Sequence, residues 1–536
     1  MSFKTFKNDL PSSIVVFLVA LPLCLGISLA SGAPFFSGII SGIIGGVVIG
    51  IASGSKLSVS GPAAGLAALV LSSIHNIGSF PLFLCAVVIA GILQIIMGLS
   101  KLGGIANYFP SSVIKGLLTS IGILIIAKQI PHAVGSVSDN SGNLASVLRL
   151  TSGANRWSNM NAGPLLITLV SVAIMLLWEK PSFRKKFKFI PKPVFAFIPG
   201  ALIAVVISVL INQLFKNNHS ILEISNNFLV QIKVAGSPKE FFSFFTLPDF
   251  NGFTNSTVII TGVMIAIIAS LETLLSIEAV DNIDPDRNVT NTNRELVAQG
   301  IGNGVAGLIG GLPVTSVIVR SSANINSGAK SKLSAIFHGI FLLISIIAIP
   351  TLLNLIPLAS LAAILLITGY KLCKPAVFIQ IFNNGKYQFI PFMVTVCTIL
   401  AIDLFVLIPP IKGEGLLLGV IAGLIAASIS ILMGNMKNSY RFHKENHHEG
   451  DVIRIHLSEE VSFLNKAGIR QTLDEIPEKS TVIIDASATQ YIDFDVIELI
   501  KEFRDIKAPH KHIICQTINF KDSYNIDQTD FVQSVH

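Results

Sequence analysis

Two short stretches of hydroxyl, glycine and proline residues interrupt apolar segments of this 536-residue chain. The first is Ser60-Gly61-Pro62, and the second contains Pro313 followed closely by Thr315 and Ser316. A helix that starts after such a break presents unpaired backbone N–H groups and about half a positive charge at its N-terminus. Two helix starts facing each other, with these hydroxyls beside them, would form a binding site for an anion.

Glu272 places a carboxylate inside a second kind of segment, the apolar stretch IIASLETLLSIEAV. A charged group within a membrane-spanning segment is costly and is typical of an ion partner or a proton carrier. Ser276 lies one helical turn further and shares the face of Glu272. These residues predict a site for a coupling cation, with a structural hydrogen bond between helices as the alternative.

Arg320 follows the second break by about one helical turn. Its guanidinium would either add positive potential to the anion site or lock its helix by pairing with a carboxylate. The sequence leaves both interpretations open.

The composition indicates which elements must position these residues. The chain is 51% hydrophobic and only 13% charged, and its mean hydropathy is +0.70, which predicts an all-α polytopic membrane protein. The net charge of +7 belongs to the loops, so we expect no nucleic-acid partner. Neither a nucleophile–base pair nor a set of metal ligands is apparent, so an enzyme is not expected.

About fourteen spans can be recognised, and the third and tenth are the shortest and most interrupted. They are predicted at Ser12–Ala30, Gly38–Ala52, Gly61–Ile74, Phe80–Leu99, Ser111–Ile130, Ala162–Trp178, Val194–Phe215, Thr257–Ile277, Leu296–Ile309, Thr315–Ile325, Leu333–Leu355, Leu358–Cys373, Phe389–Ile408 and Gly415–Met433.

Loop charges predict the orientation of these spans. The basic loops Glu179–Lys192, Gly328–Leu333 and Lys371–Lys386 all follow even-numbered spans. Because Lys and Arg collect in cytoplasmic loops, both termini are expected in the cytoplasm.

The spans divide into two halves of seven, approximately residues 1–216 and 250–435. An odd number of spans gives the halves opposite orientations in the membrane. Interrupted short helices at corresponding positions of two such halves point to the midplane binding site of an inverted-repeat transporter. The sequence therefore predicts a transmembrane transport domain over residues 1–435.

The chain changes character beyond this domain. Residues 436–450 are predicted to be a polar linker, and residues 451–536 a small cytoplasmic α/β domain. VIRIHL, STVIIDAS and HIICQTI have the pattern of strands, whereas GIRQTLDEI and VIELIKEFRDI have helical spacing.

Several independent motifs resemble the SulP family of anion transporters. APFFSGIISGIIGGVVIGIASGSKLSVSGPAAG resembles the second and third spans of that family, LGGIANYFPSSVIKGLLTSIGILIIAKQIP its fifth, and GLPVTSVIVRSSANINSGAKSKLSAIFHG its tenth. VIIDASATQYIDFDVIELI resembles part of the STAS domain that normally ends chains of this family.

This resemblance implies a seven-plus-seven inverted repeat in which a core domain moves against a gate domain, and it also implies a homodimer. It places the anion between the third and tenth spans, and Leu23 and Ile27 match first-span positions that line the site in relatives. The implied contacts with the anion come from the two breaks, at Ser60, Gly61, Pro62, Thr315, Ser316, Val317 and Ile318.

The stretch LPLCLGISLASG is similar to the bacterial bicarbonate-transporting branch, which implies bicarbonate as the first choice of substrate and sulfate as the second. That branch is sodium-coupled, with an aspartate where Glu272 stands and a hydroxyl at the Ser276 position. A sodium ion at Glu272 and Ser276 is therefore implied, and no other cofactor. The glutamate also resembles proton-coupled members, so the coupling ion stays open.

The STAS-like domain departs from its relatives at the phosphorylation site. Relatives that are phosphorylated there carry D-S-S-G, whereas this chain has Asp493-Phe494-Asp495-Val496. A serine switch is therefore not expected. Asp495 would act as a fixed negative charge or, in the favoured interpretation, as the cap of the following helix.

The combined prediction is a secondary active transporter of small inorganic anions in the inner membrane of a bacterium. A nucleobase–cation symporter of the same fold is one alternative, although Thr315 and Ser316 stand where such proteins carry an acid. A passive anion channel and a membrane-tethered signalling protein are the others.

Overall fold

The computed structural model describes residues 5–104, 110–136, 161–180, 198–218, 222–404, 415–437, 440–441, 452–462, 465–524 and 526. The chain forms two compact units. One comprises residues 1–384 and 392–424, and the other comprises residues 385–391 and 425–536.

Each predicted span corresponds to a helix among the described residues. These helices are α1 Phe6–Ala30, α2 Phe35–Ala52, α3 Ala67–Ile77, α4 Phe80–Leu99, α5 Ser111–Ala133, α6 Ala162–Glu179, α7 Gly200–Asn217, α8 Ser256–Ile283, α9 Thr292–Ile309, α10 Ile318–Asn326, α11 Leu333–Ala348, α12 Leu358–Leu372, α13 Lys386–Asp403 and α14 Gly415–Lys437. Within the described ranges, ten helices are long and apolar enough to cross a membrane.

Three predicted boundaries are wrong because proline and glycine end or delay a helix. The third span begins as an extended strand, β1 (Ser60–Pro62), followed by a 3₁₀ turn at Ala64–Leu66 and only then by α3. The tenth begins with β2 (Val314–Ser316) before α10. The eleventh ends at Ala348, before Pro350, instead of at Leu355. The predicted start of the seventh span (194–197) and end of the thirteenth (405–408) lie outside the described residues.

The two halves interlock within the helical unit. Helix α4 of the first half packs against α8 and α9, the first two helices of the second half. Helix α11 of the second half packs in the same way against α1 and α2. Since α4 and α11 occupy the fourth position of their halves, this reciprocal exchange is the packing expected of a repeat. Helices α5 and α12, the fifth of each half, pack against each other.

The second unit contains a four-stranded sheet. Its strands are β3 Tyr440–Arg441, β4 Val452–Leu457, β6 Thr481–Asp485 and β8 Ile514–Ile518, in the order β3-β4-β6-β8, while β5 Glu460–Val461 pairs separately with β7 Tyr491–Ile492. Helices α15 (Lys466–Asp474) and α16 (Phe494–Glu502) accompany the sheet. Alternate residues of β4 are buried in a separate hydrophobic core, so the predicted α/β domain is confirmed. Residues 438–439 and 442–450 of the predicted linker lie outside the described residues.

Candidate anion and cation site

The two breaks in the sequence meet as one short antiparallel ladder. Strands β1 and β2 pair Ser60 with Ser316 and Gly61 with Thr315. The ladder continues for one bond, from the Val317 N–H to the Val59 carbonyl at 3.1 Å. The pairing holds the starts of α3 and α10, which come from opposite halves, next to one another.

Most hydroxyls of the breaks have protein partners. The Ser58 and Ser316 hydroxyls lie 2.5 Å apart, and the Ser60 hydroxyl accepts a hydrogen bond from Gln299 Nε2 at 2.7 Å. Thr315 Oγ1 is fully buried and has no hydrogen-bond partner among the described residues. The serine hydroxyls therefore fix the strands, which leaves the helix starts to receive an anion.

Both helix starts lack a capping side chain. The residue before the 3₁₀ turn, Ala63, gives no side-chain cap, and neither does Val317, the residue before α10. The first turn of α10 reaches open space, because Ile318 and Val319 are 42% and 47% exposed. Uncapped N–H groups at two adjacent helix starts give positive potential from the backbone itself.

Arg320 lies buried behind the strand pair. Its Nη2 donates to Cys24 Sγ of α1 at 3.5 Å, and a Cβ on Gly61 would lie 1.8 Å from its Nη1. Within the part of the chain that the structure describes, no carboxylate pairs with this guanidinium. Of the two interpretations left open by the sequence, this arrangement favours added positive potential over a lock. Leu23 and Ile27 are buried on the same helix as Cys24.

Glu272 of α8 contacts the segment that follows β1. Its two carboxylate oxygens would lie 2.9 and 3.0 Å from a Cβ on Gly65, so any larger residue there would have to displace the carboxylate. Ser276 is half-buried one turn further along α8. Neither side chain has a hydrogen-bond or ion-pair partner among the described residues, which leaves a carboxylate and a hydroxyl to receive a monovalent cation beside the start of α3.

A divalent metal centre is a different matter. The described residues contain no group of three or more His, Cys, Asp or Glu side chains that could hold a metal ion. The sodium site expected at Glu272 and Ser276 stays a prediction; carboxylate and hydroxyl oxygens are the type of group that coordinates coupling ions at a repeat interface.

A polar stripe on α9 was not recognised in the sequence. Glu295, Gln299 and Asn303 are fully buried and spaced by four residues, so they share one helix face. Gln299 Nε2 donates both to Ser60 Oγ and to Glu295 Oε1, at 2.7 and 3.0 Å. Asn303 binds the Val314 N–H and carbonyl at 2.6 and 3.0 Å. The stripe thus holds one strand from each half, and its four-residue spacing within a predicted span is the signal that identifies it.

Two further contacts link neighbouring helices to the site. Thr273, next to Glu272, accepts a hydrogen bond from the Ser316 N–H at 3.2 Å. Lys128 of α5 donates to the Ala68 carbonyl in the first turn of α3 at 3.4 Å. A lysine within an apolar span is the sequence signal that would have identified Lys128.

The helix cap expected in the second unit lies two residues before its predicted position. Asp493, not Asp495, caps α16, and its carboxylate accepts a hydrogen bond from the Asp495 N–H at 3.0 Å. Asp495 lies in the first turn and is 3.6 Å from Lys466 Nζ. The cap interpretation of Asp495 was wrong because the chain is still extended at Asp493, where a capping residue must lie.

Interlocked halves and two uncapped helix starts define a multi-pass membrane protein with the fold of an anion transporter. Residues 6–395 match the sulfate permease family, and the chain belongs to that family.

Relatives with known names agree with this assignment. The Bacillus subtilis protein YvdB is 27% identical over 449 residues, which is 83% of this chain and 77% of that protein. Bicarbonate transporter BicA of Picosynechococcus is 26% identical over 370 residues, 68% of this chain, and the match spans only 61% of BicA. The solved transmembrane domain of a cyanobacterium bicarbonate transporter BicA superposes with a TM-score of 0.63 at 25% identity, covering 80% of this chain and 98% of that domain.

Proposed function

We propose that the protein is a secondary active transporter of a small inorganic anion, with bicarbonate as the first candidate and sulfate as the second. The β1–β2 pairing is the observation that carries this proposal, because it holds two uncapped helix starts together and Arg320 behind them. Backbone N–H groups bind oxyanions without the cost of a buried lysine. The names of the relatives supply the two substrate candidates.

Coupling would occur at Glu272. Its carboxylate lies against Gly65, the middle residue of the 3₁₀ turn that leads into α3. A cation on Glu272 and Ser276 would neutralise the carboxylate and so favour an anion at the adjacent helix start. This proximity links the two ions directly, whether the cation is sodium or a proton.

Transport would follow from motion of one group of helices against another around this site. In this proposal the core comprises α1–α4 and α8–α11, which carry the strands and Glu272, and the gate comprises α5–α7 and α12–α14. The protein would work as a homodimer in the inner membrane of a bacterium, with both termini in the cytoplasm.

Purified protein in liposomes provides the test. Uptake of labelled bicarbonate, sulfate, chloride and small carboxylates would be measured under an inward sodium gradient, an inward proton gradient and no gradient. We expect bicarbonate or sulfate to accumulate under one of the two gradients. Flux that no ion gradient can drive uphill would instead indicate a passive channel, and no flux of any of these anions would refute anion transport.

A further inference from the structure

A cavity of about 530 Å³ lies where the start of α2 and the end of α11 meet the segment 233–245. Its apolar wall consists of Leu343 and Ile347, in the last two turns of α11, together with Phe36 at the start of α2. The segment 233–245 covers it with Phe241, Phe242 and Phe245. Its volume is within the usual range of small-molecule sites, about 300–1,000 Å³.

The lining of the cavity combines an apolar wall with a cation. Leu343 and Ile347 are separated by about 6 Å along α11. Lys233 is the charged member of the described lining, and Pro350, beyond the end of α11, also borders the cavity. An apolar wall beside a cation matches the two parts of an anionic lipid.

The cation at this end has no acidic partner. Lys233 Nζ lies 5.7 Å from the centroid of the Phe244 ring, and among the described residues no carboxylate lies within salt-bridge distance. Glu240, the nearest acidic residue of the segment, is engaged elsewhere, since it accepts a hydrogen bond from the Gly236 N–H at 2.7 Å. The charge of Lys233 is therefore available to an anionic group.

Two apolar residues of the lining are themselves exposed. Ile347 of α11 is 58% exposed, and Phe242 is 70% exposed. Phe36 is held by edge-to-face contacts with Phe241 and Phe245, at 5.8 and 5.2 Å between ring centroids, so the aromatic wall is preformed. A small hydrophilic anion would leave this wall unfilled.

We propose that this cavity binds one anionic phospholipid, with an acyl chain between the phenylalanines and α11 and the phosphate on Lys233. Burial of the acyl chain supplies affinity, and the lysine supplies the preference for net negative lipid. The test below measures lipid binding and not transport, so it decides this proposal whether or not the transport proposal holds.

The test measures the thermal unfolding midpoint of the full-length protein in detergent, with phosphatidylglycerol or phosphatidylcholine added. We expect phosphatidylglycerol to raise the midpoint more than phosphatidylcholine does. Lys233→Gln should abolish this difference and Lys233→Arg should keep it. Ala235→Trp, which fills the cavity, should reduce the response to both lipids.

Lys239→Gln is the matched control, because Lys239 belongs to the same segment and does not line the cavity. It should behave as the unmodified protein does. An equal response of the unmodified protein to both lipids would overturn the proposal, as would a full phosphatidylglycerol preference in Lys233→Gln. If Lys233→Gln does not fold, Lys233→Met replaces it. Loss of the phosphatidylglycerol preference in Lys233→Met, with a retained response to phosphatidylcholine, would support the site. An unchanged preference would refute it.

Discussion

At the residue scale, the close approach of Arg320 to Gly61 is the tightest constraint in the anion site. A methyl group on Gly61 would collide with the guanidinium, at 1.8 Å from Nη1. Arg320 itself is fully buried. The absence of a side chain at Gly61 therefore leaves the space that the guanidinium occupies behind the strand pair.

Gly61→Ala should displace Arg320 and weaken anion transport. Overpacking of a filled interior costs about 1–3 kcal/mol. We expect a higher KM for the anion and a lower thermal midpoint, measured by uptake in liposomes and by unfolding in detergent. Gly304→Ala in α9 is the control, because a Cβ there meets no atom within 4 Å. Equal behaviour of the two variants would show that Arg320 does not act through Gly61.

Asp485, at the end of β6, should make the stability of the second unit depend on pH. Burial acts to raise the pKa of Asp485, but hydrogen bonds from Asn519 and Ser487 and the nearby Arg454 guanidinium together hold it below the usual value of 3.8. A carboxyl with a depressed pKa in the folded state contributes stability above its unfolded pKa and loses it as pH falls through the folded value.

The corresponding measurement is thermal unfolding of residues 452–536 alone, which contain a separate hydrophobic core. The midpoint should fall as pH is lowered from 6 to about 3, and Asp485→Asn should flatten this dependence. The exposed Asp522→Asn is the control and should follow the unmodified unit. A pH profile unchanged in Asp485→Asn would contradict the assignment.

At the element scale, helix α9 connects the halves through its polar stripe. Gln299 holds Ser60 of β1, and Asn303 holds Val314 of β2. Removal of a polar side chain whose buried partner then lacks a hydrogen bond lowers the free energy of unfolding by about 1–3 kcal/mol. The stripe therefore sets the register of the two strands that precede the helix starts.

Replacement of Asn303 by Leu should lower stability by about 1–3 kcal/mol, since the Val314 N–H and carbonyl and the Gln94 amide lose their partner. Anion uptake should fall by more than the loss of folded protein explains. Ile301→Leu, on the exposed side of the same helix, should leave both unchanged. Thermal unfolding and uptake of the purified variants provide the measurement, and full transport by a folded Asn303→Leu protein would argue against positioning by the stripe.

The sequence predicted fourteen spans, the two breaks and the isolated carboxylate, because apolar length, proline and intramembrane charge are local signals. It did not predict that Ser60–Pro62 and Val314–Ser316 are strands. A three-residue strand has no periodicity, and its hydrogen-bond partner lies about 250 residues away. The role of Gly65 was missed for the same reason, since only the fold brings Glu272 against it.

At the scale of the whole molecule, every residue of the candidate anion and cation site belongs to the helical unit. Removal of residues 452–536 should therefore leave gradient-driven anion uptake per folded protein close to that of the full chain. Uptake by the two proteins in matched liposomes tests this. A truncated protein that folds and binds the anion but does not transport it would show that the second unit is part of the transport cycle.

The central claim is that Glu272 couples a cation to anion movement at the adjacent helix start. The most direct measurement is concentrative anion uptake by liposomes under sodium or proton gradients, for the unmodified protein, Glu272→Asp and Glu272→Gln. The account predicts uphill uptake by the unmodified protein, retained coupling with altered cation dependence in Glu272→Asp, and no gradient-driven uptake in Glu272→Gln. Uphill uptake by Glu272→Gln equal to that of the unmodified protein would contradict it.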